Sequence, residues 1–194
     1  MVHASPASAK TALRLVLRRR RKVLAAEAPD AALRVAALAP DHLFSARIVA
    51  GYRPQGGELD PWPLLRRLAQ AGAQIVLPRA DARDAPLVFH RHADAETLAP
   101  DAFGVPAPLN TAPVLAPDLI LVPLLAFDAA GGRMGQGAGC YDRTLAAARS
   151  SGAVHVVGLA YAGQEVAQVP AEPHDQLLDA ILTETGYRAF QRNI

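Results

Sequence analysis

The residues best suited to chemistry lie between 118 and 145, where glycines at 131, 132, 135, 137 and 139 surround Arg133 and lead to Asp142. Gly135, Gly137 and Gly139 alternate, so the backbone there can bend closely around a ligand with no Cβ in the way. Arg133 offers a planar fork of donors that matches a phosphate. Asp142 offers one carboxylate, enough to hold a Mg2+ whose other positions go to water and phosphate oxygens. The segment contains no G-x-x-x-x-G-K-[ST], and G-x-G-x-G is not the dinucleotide pattern G-x-G-x-x-G. On spacing alone it reads as a phosphate-binding loop, with a merely tight loop as the alternative.

Other candidates lie outside this segment. Lys10 and Arg14 are four apart and share one face of a helix, either as a solvated pair or as two phosphate contacts. Glu58 stands in a polar loop, by default an exposed carboxylate. His90 and His92 share a strand face, but with no third ligand nearby a solvated face is expected rather than a metal. His174, Asp175 and Asp179 follow late in the chain, and an Asp-x-x-x-Asp is commonly a surface pair.

Positioning these groups requires strands and helices in alternation. Residues 119–122 form a continuous apolar run stopped by Pro123, the pattern of a strand buried on both faces of a parallel sheet. Strand, glycine loop and a helix over 141–149 would aim backbone N–H groups at an anion. Residues 10–28 hold good helix formers with no Gly or Pro and end at Pro29, while 1–9 read as a frayed start. A short helix follows over 30–39, with Asp30 as its N-cap. Strands are expected at 46–52, 74–77 (stopped by Pro78), 87–92, 154–160 and finally 180–184. A helix runs from Trp62, expected as a packing residue, to 71. Residues 100–117, with five prolines, read as an extended connection. The fold class is α/β: a single Rossmann-like three-layer domain over 1–194, its mainly parallel sheet flanked by helices, with ligands at the strand ends.

Composition narrows the function. At 194 residues, 51% hydrophobic and 20% charged, the chain has the make-up of a soluble globule with a substantial core. No apolar run approaches the length of a membrane span, the N-terminus lacks the order of a secretory signal, and a single cysteine suits a reducing cytoplasm. The expected state is a cytoplasmic monomer. Net charge is +2, yet residues 1–22 hold seven basic side chains and no acid, leaving the rest net acidic. Most of Arg18–Arg21 wrap around a helix and read as solvated. A basic helix on an acidic body suggests a local anion site, with neither a membrane nor a nucleic acid as partner.

Val122-Pro123, Ala126-Phe127-Asp128, Gly132-Arg133-Met134-Gly135, Gly137, Gly139 and Tyr141-Asp142-Arg143 resemble the signature loop of the 5-formyltetrahydrofolate cyclo-ligase family. That pattern is roughly P-G-x-A-F-D-x-x-G-x-R-[LM]-G-x-G-x-G-Y-Y-D-R. Weaker echoes run from Lys10 to Glu184, among them Pro78-Arg79, Phe103-Gly104-Val105-Pro106 and Tyr161 with Gln164. The resemblance implies ATP contacts by Lys10, Arg14 and the loop residues Arg133, Met134, Gly135, Gln136, Gly137, Ala138, Gly139, Cys140 and Tyr141. It implies folate contacts by Arg53, Glu58 and residues Gln136 to Cys140, and Mg2+ on Asp142 with Asp179. Cys140 stands where the family usually has the first of two tyrosines, and Gln136 and Ala138 replace residues often aromatic, basic or glycine. Weaker folate binding is the expected consequence.

The implied reaction converts 5-formyltetrahydrofolate and ATP into 5,10-methenyltetrahydrofolate, ADP and phosphate. An N-formyl amide is a poor electrophile and its oxygen a poor leaving group; phosphorylating that oxygen solves both, and N10 then attacks the carbon. Such chemistry asks for positioning and charge neutralisation, with Arg133 and Lys10 as phosphate stabilisers and no covalent nucleophile. Two alternatives belong to other classes: a different nucleotide- or phosphate-binding enzyme using the same loop, and a nucleic-acid-binding module using residues 10–22.

Overall fold

The computed structural model describes residues 6–93, 97–152 and 154–191, with side chains from Lys10 onward. The expected frayed start falls partly outside the described residues, and from Pro6 the chain is helical. Helix α1 (Pro6–Glu27) and the short α2 (Ala31–Leu38) precede strand β1 (Ile48–Ala50). After α3 (Trp62–Gln70) come β2 (Gln74–Arg79), β3 (Val88–Arg91) and a two-stranded ladder of β4 (Leu98–Pro100) with β5 (Pro106–Pro108). The central run is β6 (Leu119–Pro123), followed by a second ladder of β7 (Ala126–Phe127) with β8 (Arg133–Met134). Helix α4 (Cys140–Ser151), β9 (His155–Leu159), β10 (Ala180–Thr183) and β11 (Gly186–Ala189) complete the chain.

Seven strands form the main sheet in the order β11-β10-β9-β6-β1-β2-β3. The interior pairings β10–β9, β9–β6, β6–β1 and β1–β2 are parallel, and only the edge strands β11 and β3 run antiparallel. Strand β6 is buried along Leu119–Val122 because it has a layer on each side. Leu119 and Leu121 pack with Val35 of α2 and Leu64, Leu65 and Leu68 of α3. Ile120 and Val122 pack with Leu145 of α4 on the opposite face. Alternate side chains go to opposite faces, so a strand sandwiched between helices must be apolar throughout. The expected α/β single domain with its mainly parallel sheet is what the chain forms. Among the described residues no helix is long and apolar enough to cross a membrane.

Three local expectations change. Asp30 does occupy the N-cap of α2, but its side chain makes no cap hydrogen bond and instead pairs with Arg34 at 3.2 Å, one turn on. Pro78 does not stop β2, which continues to Arg79; pairing with β1 ends at Val76, so the proline sits where one neighbour has already left. Beyond β10 the chain turns through Glu184-Thr185 and adds β11, which no apolar run announced.

Candidate active site

Helix α1 presents a stripe of cations to the carboxyl ends of the parallel strands. Lys10, Arg14, Leu17 and Arg21 fall at spacings of four, three and four, nearly one line along a helix. Leu17 anchors the stripe by packing on Leu125, Ala126, Met134 and Val169. The cations then reach three separate loops. Lys10 Nζ pairs with Glu172 at 2.7 Å, Arg14 Nε donates to the Gly135 carbonyl at 3.3 Å, and Arg21 enters the loop after β1, where it meets Glu58 at 3.1 Å. Beside the stripe, Arg18 donates to the side-chain oxygen of Gln136 at 2.8 Å and to its backbone carbonyl at 3.3 Å.

The glycine loop lies under this stripe. Gly137 has φ +103°, and a Cβ there would stand 3.0 Å from Arg14 Cζ. Gly139, at φ +68°, precedes the first turn of α4, where backbone N–H groups have no helical partner and favour an anion. A Cβ at Gly135 would meet nothing within 4 Å, so open space lies above the loop there. Arg133, buried in β8, bonds Asp142 at 2.8 Å, and the same Asp142 oxygen accepts the Gln176 N–H at 3.0 Å.

Between these walls lies a cavity of about 390 Å3. Its polar lining comes from Lys10, Arg14, Arg133 and the loop from Gly135 to Tyr141, and its apolar lining from Leu77, Leu87, Phe103, Val105 and Pro106. Glu58 and Arg53 also line it, Arg53 with its guanidinium carbon 5.5 Å from the Trp62 ring centre. Burial pushes the Tyr52 and Tyr141 hydroxyls up, and the nearby Glu58 charge adds to this. Both are neutral phenols at physiological pH, Tyr52 donating to the Leu59 carbonyl at 2.6 Å. Burial also pushes the Cys140 thiol up, with Arg143 pulling partly back.

Cations and glycines beside apolar side chains in one cavity suit a nucleotide with a flat organic co-substrate. The sequence profile of the 5-formyltetrahydrofolate cyclo-ligase family matches residues 6–184. The chain belongs to that family. It is 37% identical over 147 residues to a 5-formyltetrahydrofolate cyclo-ligase of Mycolicibacterium smegmatis, covering 72% of this chain and 75% of that protein. With the Escherichia coli protein of that name it shares 32% over 178 residues, covering 87% and 96%. Among solved structures, a 5,10-methenyltetrahydrofolate synthetase of Aquifex aeolicus superposes with a TM-score of 0.74 at 26% identity, covering 95% of this chain and 94% of that one. One from Mycoplasma pneumoniae, at 21% identity and a TM-score of 0.69, covers 90% and 98% and shares the fold.

Against the family's expected residues, the structure brings nearly the whole set together. Lys10, Arg14, Arg53, Glu58, Arg133, Met134 and every residue from Gly135 to Asp142 line the one cavity. Asp179 is the exception and requires a correction: it is not among the cavity residues. It immediately precedes β10, a parallel strand, so it lies at the amino edge of the sheet, away from the cyclo-ligase cavity. There its Oδ2 accepts the Val156 N–H at 2.8 Å, and its Oδ1 lies 3.5 Å from Arg149 in the last turn of α4. Asp142 belongs to the first turn of the same helix. Glu172 and Asp175 do border the cavity, and their donor atoms lie with that of His174 all within 4.8 Å of one another. Spacing offered Asp175 only as half of a pair with Asp179, and it missed Glu172 and Arg21. For Arg21 a signal existed, since it continues the line of Lys10 and Arg14.

Proposed function

We propose that this cyclo-ligase carries out the family's reaction in the cavity between α1, the glycine loop and the loop after β1. 5-Formyltetrahydrofolate and ATP become 5,10-methenyltetrahydrofolate, ADP and phosphate. The formyl oxygen takes the γ-phosphoryl group and ADP leaves. N10 then attacks the activated carbon and gives up its proton as the C–O bond breaks and phosphate departs. The observation that carries this reading is the convergence of four cations from one helix and β8, namely Lys10, Arg14, Arg21 and Arg133, on a cavity that also has an apolar lining.

The chain's own residues supply position and charge. Lys10, Arg14 and Arg133 neutralise the triphosphate, and the open space at Gly135 with the start of α4 admits phosphate oxygens to backbone N–H groups. Arg133 is pre-set by its bond to Asp142. Lys10 exchanges Glu172 for phosphate, and Glu172 is held below the usual carboxylate range first by its hydrogen bond to Lys10 and then by that charge. Glu58 accepts from the folate's ring N–H groups, and Leu77, Phe103 and Val105 cover its flat body. Oxygen donors that line the cavity suit a divalent cation: Asp142, and Asp175 in its group with Glu172 and His174, would each offer Mg2+ a carboxylate ligand, supplying charge neutralisation at the phosphates. With this reading goes a monomeric single domain over 1–194, and the lone cysteine fits a cytoplasmic setting. The cations turned inward on α1 argue against a nucleic-acid partner.

The test is turnover. Mixing the chain with 5-formyltetrahydrofolate, ATP and Mg2+ is expected to raise near-ultraviolet absorbance, with no rise when ATP is left out. Product formed without ATP, or none with it, contradicts the reading.

A further inference from the structure

Arg21 is among the largest fully buried side chains of the fold, at 2% exposure. Its Nη1 donates to Glu58 Oε1 and to the Leu124 carbonyl, each at 3.1 Å, and its Nη2 to the Gln55 and Gly56 carbonyls at 3.2 and 3.4 Å. One guanidinium thus joins α1, the start of the segment after β6, and the loop that carries Glu58. The other Glu58 oxygen accepts the Gln55 N–H at 2.9 Å. Each carboxylate oxygen has two lone pairs, so each holds one partner from the protein and keeps one site for a ligand. Glu58 is only 7% exposed and lines the cavity together with Arg21.

We propose that Arg21 is a positioning residue for the folate: it fixes the Glu58 carboxylate in one orientation at the cavity wall. This rests on the reading that Glu58 contacts the folate. A carboxylate with a free rotor would meet two adjacent N–H donors of a planar ring in many poses. One clamped from behind meets them in one. Lysine cannot replace the clamp, because a point ammonium cannot reach a carboxylate and three carbonyls in one plane.

The test compares Arg21→Lys, Glu58→Gln and the double variant in steady-state assays with each substrate varied. Loss of one charge-assisted hydrogen bond gives an expected rise in folate KM of about 10–100-fold for Arg21→Lys, with ATP KM unchanged. In the Glu58→Gln background, Arg21→Lys is expected to add almost nothing to the folate KM. Equal rises in both KM values, or full additivity in the double variant, overturn the positioning role and leave a merely structural one. A Glu58→Gln folate KM equal to wild type, in an enzyme that does turn over, overturns the folate role of Glu58 and the inference with it. If Arg21→Lys does not fold, 13C-arginine NMR of the wild-type chain takes its place. The Arg21 resonance is then expected to shift on adding the folate and not on adding a non-hydrolysable ATP analogue, and the reverse pattern overturns the proposal.

Discussion

At the carboxyl ends of the parallel strands, acids and cations face a cavity, whereas at the amino ends they are taken up by the backbone. Asp118 and Asp179 show the second arrangement, each just before a strand. Asp118 accepts the N–H groups of Arg47 and Ile48 at 3.0–3.1 Å, and Asp179 accepts that of Val156 at 2.8 Å. Both satisfy donors that the start of a neighbouring strand would otherwise leave bare. Asp142, Glu58 and Glu172 show the first arrangement. Their partners are the cations Arg133, Arg21 and Lys10, and each pair borders open space. The same residue types therefore serve architecture at one end of the sheet and chemistry at the other, and what decides is which end the connection places them on.

The sharpest way to break this contrast is to remove a cation from the cavity end. Arg133→Met is expected to lower kcat/KM by about 100–1,000-fold, as for the loss of a donor to developing transition-state charge, with circular dichroism showing the fold retained. A loss under tenfold would place Arg133 with the structural ionic groups.

A smaller effect separates two aspartates four residues apart. Asp175→Asn is expected to raise the Mg2+ concentration for half-maximal turnover by about tenfold or more and leave thermal stability near wild type. Asp179→Asn is expected to do the opposite. Its side chain can no longer accept as a carboxylate from Val156 or attract Arg149, costing about 1–3 kcal/mol, a drop in Tm of roughly 2–4 °C per kcal/mol for a chain this size, with an unchanged Mg2+ requirement. Exchanged outcomes would restore Asp179 as the metal ligand.

The smallest change concerns the wall rather than the charges. Cys140 lines the cavity at the position that the signature pattern gives to a tyrosine, and Cys140→Tyr is expected to lower the folate KM by about 2–10-fold through added stacking area. An unchanged or higher KM in steady-state assays would show that the position does not touch the folate.

Much of this contrast was legible in the sequence. The apolar run ending at Pro123 located the central strand, and the glycines, Arg133 and Asp142 located the loop, because a buried strand, a turn that must approach a ligand and a helix start each restrict residue type strongly. Lys10 with Arg14 was the start of a stripe whose third cation, Arg21, was hidden among four consecutive arginines; side-chain type cannot say which face of a helix is covered. Asp175 and Asp179 could not be ranked by spacing. Topology ranks them, since the residue immediately before a parallel strand lies at the amino edge. Strand β11 was missed because an edge hairpin needs little apolar pattern when only one neighbour pairs with it.

The most direct measurement is hydrogen–deuterium exchange of the wild-type chain with and without Mg2+ and a non-hydrolysable ATP analogue. Added protection is expected in residues 133–145 and 170–176 and in α1, with none at 47–49, 155–156 or 179. Protection concentrated at that amino edge, or no change in the glycine loop, would contradict the assignment of nucleotide binding to the carboxyl ends of the sheet.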